Sequence, residues 1–316
     1  MLFSPVPMHI PDGFLSVLVS VILWILSVAG IGYALKRVGT DLGERQVPLM
    51  GILAAAIFAG QMLNFSVTGG TSGHLMGAAL ATIVLGPWAA LLVMVCVVGI
   101  QAVVFQDGGL LALGANIFNM GIVGVAVGHF AYRTVCRFTG DKPWAIPLGG
   151  FIAGWLSIFI ASLACALQLA LSGTSPANIA VPAMGGIHAL IGIGEGLITA
   201  GALAFIAAAR GDLLQTKAAM GSSKPVWAGG GILAVLLAIA SPLASAHPDG
   251  LEWVAEGRGF LDLAQDPLYE IIPDYVLPGI ANEALATILA GIVGVILVLA
   301  AALAVAYSRR RMTEAR

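Results

Sequence analysis

The sequence predicts an all-α protein that crosses a membrane several times. Of its 316 residues, 59% are hydrophobic and 9% are charged, whereas about a quarter of the residues in an ordinary soluble domain are charged. The apolar residues gather in runs of membrane-spanning length, and 41 glycines allow close helix packing. A soluble globule is excluded, because so few charges cannot cover a water-exposed surface of this size.

Nine apolar runs predict nine helices. One span needs roughly 20 mostly apolar residues, and every run except the third approaches or exceeds that length. The third rises only ~18 Å as a helix, so it is predicted to be short. Fusion with the fourth run is disfavoured, because Gly86 and Pro87 would break a continuous helix. The runs cover residues 14–35, 48–66, 74–85, 87–105, 113–132, 145–171, 187–209, 227–244 and 284–307.

The distribution of Lys and Arg predicts the orientation. With nine passes and an external N-terminus, every Lys and Arg except Arg258 falls on the inner side, as the positive-inside rule requires. Eight passes would place Arg133, Arg137 and Lys142 outside. We therefore expect the N-terminus outside and the C-terminus in the cytoplasm.

The order of the runs predicts two domains. Residues 8–212 would form a seven-helix bundle, and residues 225–312 a two-helix hairpin with an external loop. That loop, from Ala246 to Glu283, could gather cations electrostatically, although a solvated loop is the simpler interpretation. Its carboxylates are Asp249, Glu252, Glu256, Asp262, Asp266, Glu270, Asp274 and Glu283.

Two histidines near the external face are the main candidate metal ligands. His9 precedes the first run, and His74 follows a glycine-rich stretch and is expected to begin the third helix. If the mature chain begins at Met8, its amine, the His9 amide nitrogen and the His9 ring can form two fused chelate rings. This nitrogen set suits Ni(II) or Cu(II), with His74 as fourth ligand. Alternatively, His9 caps a helix and His74 is a buried, hydrogen-bonded residue.

Further polar residues in apolar segments are candidates for hydrogen bonds that orient the ligands, because each is costly in lipid unless it is paired or faces water. His188 and Glu195 lie two turns apart on the seventh predicted helix and share a face, where they either link to the site or serve as structural polar contacts. The full set is Asn64, Ser72, Gln101, Asn116, Asn119, His188 and Glu195.

Small residues form a face on the fifth predicted helix. Gly121, Gly124 and Gly128 are spaced three and four residues apart, which allows another helix to approach closely. That helix belongs either to a partner protein or to this chain.

Four motifs, in order over residues 8–212, resemble the CbiM/NikM family, the substrate-binding components of cobalt and nickel energy-coupling factor (ECF) transporters. Behind them, Pro248-Asp249-Gly250-Leu251-Glu252 resembles the PDGLE domain of NikN, a small partner component. The four motifs are Met8-His9-Ile10-Pro11-Asp12-Gly13, then Gly70-Thr71-Ser72-Gly73-His74, then Asp107-Gly108-Gly109-Leu110 with Gly114-Ala115-Asn116-Ile117-Phe118-Asn119, and His188-Ala189-Leu190-Ile191-Gly192-Ile193-Gly194-Glu195.

The resemblance implies a transporter subunit and not an enzyme. Met8, His9 and His74 would hold Ni(II) or Co(II) as the transported substrate, without a permanent cofactor, and the nitrogen-rich ligand set favours nickel. A separate transmembrane coupling (T) protein and two ATPase subunits would supply energy, because this sequence carries no P-loop motif. The expected location is the bacterial plasma membrane. No basic cluster indicates a nucleic-acid partner.

The residues ahead of Met8 depart from the family pattern. Met1 to Pro7 would acylate the Met8 nitrogen, so either translation starts at Met8, or the extension is removed, or the site differs from that of the family. A start at Met8 is favoured, because Met1 to Pro7 is too short and too uncharged for a targeting signal.

Two other functions are alternatives to this one. An ion-coupled secondary metal transporter would show inverted repeats and acidic residues in several helices. A membrane metalloenzyme would need an open metal position beside a base, for which Glu195 is the candidate.

Overall fold

The computed structural model describes residues 9–41, 46–140, 142–214 and 224–314. These residues are mainly helical, with one antiparallel two-stranded sheet. The helices are α1 (Val17–Asp41), α2 (Gln46–Gln61), α3 (Ala78–Leu85), α4 (Pro87–Val104), α5 (Leu113–Thr139), α6 (Ala145–Leu171), α7 (Ala177–Arg210), α8 (Lys224–Ala240), α9 (Gly250–Arg258) and α10 (Glu283–Glu314), and the strands are β1 (Phe65–Val67) and β2 (Thr71–Gly73).

The predicted all-α, multi-pass membrane fold is confirmed. Within the described ranges, six helices are long and apolar enough to cross a membrane: α1, α4, α5, α6, α7 and α10. The helices α2, α3 and α8 are shorter than a full span, so the total of nine passes stays a prediction. The predicted orientation likewise stays a prediction.

Local backbone chemistry places two helix boundaries. Gly86, with φ of 80°, separates α3 from α4, which begins at Pro87, so the predicted break between the third and fourth runs is confirmed. The expectation that His74 begins the third helix is wrong, since α3 begins only at Ala78, after Gly77 with φ of 80°. Glycine adopts this left-handed conformation without a steric penalty.

The helix α7 is longer than its apolar run. It begins at Ala177, ten residues before the predicted start of the run at residue 187. The backbone hydrogen bonds of α7 thus extend the helix by nearly three turns ahead of the predicted run. Pro182 lies within the helix, where it removes one main-chain donor.

The glycine face on α5 packs inside this chain. A Cβ on Gly121 would lie 2.9 Å from Leu91 of α4, and one on Gly128 would lie 3.0 Å from Ala79 of α3. Of the two alternatives for this face, the structure shows the internal one.

The C-terminal segment, residues 224–314, packs on the first part of the chain through α2, which contacts both α8 and α10. Glycines permit the close approach: a Cβ on Gly51 would lie 2.8 Å from Leu303, and one on Gly230 would lie 2.1 Å from Ile52. The predicted boundary at residues 212–225 falls mostly outside the described residues. The division into two domains therefore stays a prediction.

The connection between α8 and α10 folds over the end of the bundle that carries His9. Tyr275 is fully buried, and Asp249 is only 5% exposed. The main-chain nitrogen of Gln265 donates to the carbonyl of Asp12 at 2.8 Å. The interpretation of residues 246–283 as an ordinary solvated loop is therefore wrong for the parts that pack against the bundle.

Candidate metal site

His9 lies just before α1, and two of its nitrogens meet one carboxylate oxygen. The main-chain nitrogen donates to Oδ1 of Asp107 at 3.1 Å, and the ring Nδ1 lies 3.1 Å from the same oxygen. The third nitrogen, Nε2, is buried and has no hydrogen-bond partner. The two atoms that face Asp107 are the amide and ring donors that a chelate through His9 requires.

Hydrogen bonds to the start of α5 and to the α4–α5 connection hold the His9 segment in place. Asn116 accepts from the Ile10 nitrogen at 3.0 Å and donates to the Ile10 carbonyl at 3.1 Å. The carboxylate of Asp12 accepts from the Ala112 nitrogen at 2.9 Å. Gly109 is needed beside this contact, because a Cβ there would lie 2.0 Å from the Asp12 carboxylate.

His74 follows β2 and comes close to His9. The ring centroids of the two histidines are 6.0 Å apart, at an interplanar angle of 86°. The Nδ1 of His74 donates to the carbonyl of Leu75 at 3.1 Å, which leaves Nε2 unprotonated and able to bind a metal.

Charge and burial set the protonation of these groups. Burial, together with the nearby His9, lowers the pKa of His74 to about 4, which keeps its ring in the neutral form that binds metals. Burial acts to lower the pKa of His9, but the Asp107 carboxylate outweighs it and the net direction is upward. Burial and the neighbouring Glu252 raise the pKa of Asp249 to about 8.

A cavity of about 90 Å³, the inner chamber, lies between the histidines. His188 lines it as well, with its Nδ1 donating to the Met184 carbonyl at 2.9 Å. Asn119 lines it and exchanges two hydrogen bonds with Gln168, at 2.9 and 2.7 Å. The polar lining residues are His9, His74, Asn116, Asn119, Ser162, His188 and Asp249.

Side chains of the described residues do not form a metal site by themselves. Within residues 9–41, 46–140, 142–214 and 224–314, no three His, Cys, Asp or Glu side chains are placed to hold a metal ion. A complete site here needs main-chain nitrogens or further donors. The predicted ligand Met8 lies outside the described residues.

Glu195 binds the main chain directly after His74. Its two carboxylate oxygens accept from the Met76 nitrogen at 2.6 Å and the Gly77 nitrogen at 3.1 Å, and the side chain is fully buried. Glu195 thereby attaches the His74 segment to α7. A pairing of Glu195 with His188 is not observed, and both of its oxygens are used by the main chain.

Replacing Glu195 with alanine is expected to lower the free energy of unfolding by about 2–5 kcal/mol, because two buried N–H groups lose their acceptor. Thermal unfolding of the purified protein in detergent measures the loss. Glu256→Ala is the matched control, since Glu256 is exposed on α9. Equal stability of the two variants would contradict this role of Glu195.

The remaining candidates lie outside the inner chamber. Ser72 donates to the His247 carbonyl at 2.9 Å, and the Asn64 carbonyl accepts from the Ser245 nitrogen at 2.8 Å. Both contacts attach the β-hairpin to the C-terminal segment. The Gln101 carbonyl accepts from the Asp107 nitrogen at 3.1 Å.

Asp107 and Tyr275 are site residues that were not selected from the sequence. The Tyr275 hydroxyl donates to Oδ2 of Asp107, the carboxylate that faces His9. The sequence does contain a feature that could have identified Asp107, because it is an acidic residue at the end of an apolar run. No feature of the sequence identifies Tyr275, since only the packing of the C-terminal segment brings its hydroxyl to Asp107.

Comparison with known families matches both parts of the chain. Residues 9–213 match the family model CbiM, described as the cobalt uptake substrate-specific transmembrane region. Residues 224–311 match the PDGLE domain.

Curated relatives cover nearly the whole chain. A putative fused nickel transport protein NikMN of Archaeoglobus fulgidus is 43% identical over 299 residues, covering 93% of this chain and 96% of the relative. A fused nickel transport protein NikMN of Rhodobacter capsulatus is 31% identical, covering 93% and 95%. A cobalt transport protein CbiM of Sorangium cellulosum is 36% identical, covering 60% of this chain and 86% of the relative.

A solved structure shares the fold of the first part. It is the crystal structure of a truncated transition metal transporter, with a TM-score of 0.57 and 36% identity, and the match covers 63% of this chain and 98% of that one. All these relatives are named as transport proteins, so the chain is a transporter component and not an enzyme. The chain belongs to the CbiM family of metal-uptake membrane proteins and carries a PDGLE domain behind the CbiM region.

Proposed function

We propose that this chain captures Ni(II) or Co(II) at the external face of the bacterial plasma membrane, as the substrate-binding component of an ATP-driven ECF importer. The ligands are the Met8 amine, the His9 amide nitrogen, Nδ1 of His9 and Nε2 of His74. Four nitrogens suit a square-planar ion, which favours nickel. The names of the fused relatives also support nickel.

The convergence of two His9 nitrogens on one oxygen of Asp107 carries the proposal. In this arrangement Asp107 accepts from the atoms that would bind the ion. A metal at these nitrogens would take the place of that contact, and the protons of the His9 amide and of Nδ1 would be released to water. The His74 ring, 6.0 Å away between centroids, is near enough to complete the set.

The energy for transport comes from other subunits in this proposal. A transmembrane coupling protein and two ATPase subunits would drive the reorientation that releases the metal inside. The C-terminal segment, fused behind the CbiM region, would act with it as one unit. The packing of α8 and α10 on α2 supports such a unit.

Uptake of radioactive nickel into proteoliposomes tests the dependence on ATPase subunits. We expect uptake only when the chain is reconstituted with its coupling protein and ATPases, and only with ATP inside the compartment that holds the ATPases. Uptake by this chain alone, driven by an ion gradient, would contradict the proposal and favour a secondary transporter. Vesicles with an inactive ATPase are the control.

A further inference from the structure

A cavity of about 310 Å³ lies at the end of the bundle opposite the candidate metal site, and it is called the Arg133 cavity below. Its walls come from the start of α2, the α3–α4 junction, the second half of α5 and the segment that follows α7. No Asp or Glu occurs among the described residues that line it. Most of the lining side chains are apolar, and the polar ones are Gln46, Thr82, His129, Tyr132 and Arg133.

The Arg133 cavity lies near the level of lipid headgroups. From Val104, close to Asp107, the 18 residues of α4 extend about 27 Å to Pro87 in the cavity wall, which is nearly the thickness of a hydrocarbon core. Trp88 follows Pro87, and its ring packs edge-on against Tyr33 with 4.9 Å between the centroids. Both rings are exposed, and exposed Trp and Tyr concentrate where hydrocarbon meets headgroups. The cavity is therefore beside the headgroups of the leaflet opposite the candidate metal site.

The first turn of α4 brings main-chain donors to this cavity. Gly86 and Pro87 line it, and no side chain caps the helix. Pro87 has no N–H, and the N–H groups of Trp88 and Ala89 have no acceptor within the helix. The positive end of the helix dipole favours an anion at this position.

Thr82 is an independent indication of a ligand. Its side chain lines the cavity and is only 3% exposed, and its hydroxyl has no hydrogen-bond partner. Its carbonyl accepts from the Gly86 nitrogen at 2.9 Å, which holds Thr82 beside the start of α4. A buried hydroxyl without a partner is costly, so a ligand that accepts from it would be stabilised.

Arg133 adds a positive charge from α5. A Cβ on Gly128 would lie 3.3 Å from Cγ2 of Thr82, so α5 and α3 pack directly against each other here. None of the ion pairs among the described residues includes Arg133. An arginine in a membrane-spanning helix is costly unless it is paired or reaches the headgroups. Its planar guanidinium matches the oxygens of a phosphate group.

We propose that the Arg133 cavity binds the phosphate of an anionic phospholipid. Arg133 and the first turn of α4 face the negative charge, and the Thr82 hydroxyl donates to a phosphate oxygen. The apolar part of the wall suits the glycerol and the first acyl carbons of a lipid, whereas a free anion would leave it uncovered. Basic pockets between membrane helices bind such headgroups.

The absence of carboxylates from the described lining selects the charge of the lipid. A zwitterionic headgroup carries an ammonium group, which would find no acidic partner among these residues. A headgroup with net negative charge has no such requirement. Metal capture plays no part in this inference, so the lipid can bind whether or not Ni(II) is present.

Native mass spectrometry of the full-length protein tests this site. The protein is released from detergent with added phosphatidylglycerol, phosphatidylcholine or inorganic phosphate. We expect phosphatidylglycerol to be retained about fivefold more than phosphatidylcholine, and Arg133→Gln to reduce its retention about fivefold. Arg137→Gln is the matched control, because Arg137 is exposed one turn further along α5 and does not line the cavity. It should retain as much phosphatidylglycerol as the unaltered protein.

Thr82→Val separates lipid binding from folding. Valine has nearly the shape of threonine, and the lost hydroxyl has no partner within the described protein. The thermal midpoint in lipid-free detergent should therefore not fall, whereas retention of phosphatidylglycerol should fall about tenfold, as expected for a hydrogen bond to a charged group. A fall in the midpoint with unchanged retention would make Thr82 a structural residue and count against the site.

Four results would overturn the inference. No retention of phosphatidylglycerol by the unaltered protein would show that the cavity holds no lipid. Equal losses for Arg133→Gln and Arg137→Gln would reduce the effect to a general attraction by positive charge. Displacement of the lipid by inorganic phosphate would make the ligand a free anion. Unchanged lipid retention by Arg133→Gln, together with weaker co-purification of a coupling protein, would assign the cavity to a carboxylate of that protein.

Discussion

Replacing His74 with alanine is expected to weaken Ni(II) binding by more than about a hundredfold, since loss even of an outer partner of a ligand costs about 10–100-fold. The variant loses the nitrogen that the β-hairpin contributes to the site. Isothermal titration of the purified protein with Ni(II) measures the change.

The fold should survive this substitution. The hydrogen bond that the structure gives the His74 side chain is a local one, to the Leu75 carbonyl. His129→Ala is the matched control, because it removes a half-buried histidine on α5 that does not line the inner chamber. If the His74 variant binds Ni(II) as tightly as the His129 variant, His74 is not a ligand.

The position of the first residue should change the affinity for Ni(II) by as much as the loss of His74. A protein that begins at Met8 is expected to bind Ni(II) more than about a hundredfold tighter than one that retains Met1 to Pro7, by the same reasoning on ligand loss. An acylated Met8 nitrogen is an amide and cannot donate as an amine. Ni(II) titration of the two proteins measures the difference.

Mass spectrometry of the mature N-terminus accompanies this comparison. A protein whose Met8 amine is acetylated is the control, because acetylation blocks the amine without adding a residue or a new free amine. Tight Ni(II) binding by a protein with an intact Met1 would show that the Met8 amine is not a ligand. The His9 and His74 contributions would then need separate support.

The sequence predicted the fold class and the main residues of the candidate site. Runs of apolar residues identify membrane helices because burial in lipid depends on the composition of each segment alone. His9 and His74 were selected because polar residues are rare in so apolar a chain and their motifs are specific. The structure adds that their rings lie 6.0 Å apart. That they share a metal ion stays a prediction.

Other features could not be predicted in the same way. The apolar run that starts at His74 predicts a helix start there, but hydropathy does not separate the last strand of a hairpin from the first turn of a helix. Asp249 was grouped with a solvated loop, because a sequence rich in carboxylates looks the same whether it lies in water or over a cavity. The chamber it lines exists only where three separate parts of the chain meet.

The sequence by itself determined that this chain is a multi-pass membrane protein of the CbiM family, since helix formation in lipid and motif identity are properties of short segments. Only the tertiary structure decided that Asp107 faces His9 from 98 residues away and that Tyr275 reaches Asp107 across 168 residues. Such contacts depend on how the helices pack and on where the C-terminal segment folds back. No local pattern of residues encodes them, because the free energy that forms them comes from the whole assembled bundle.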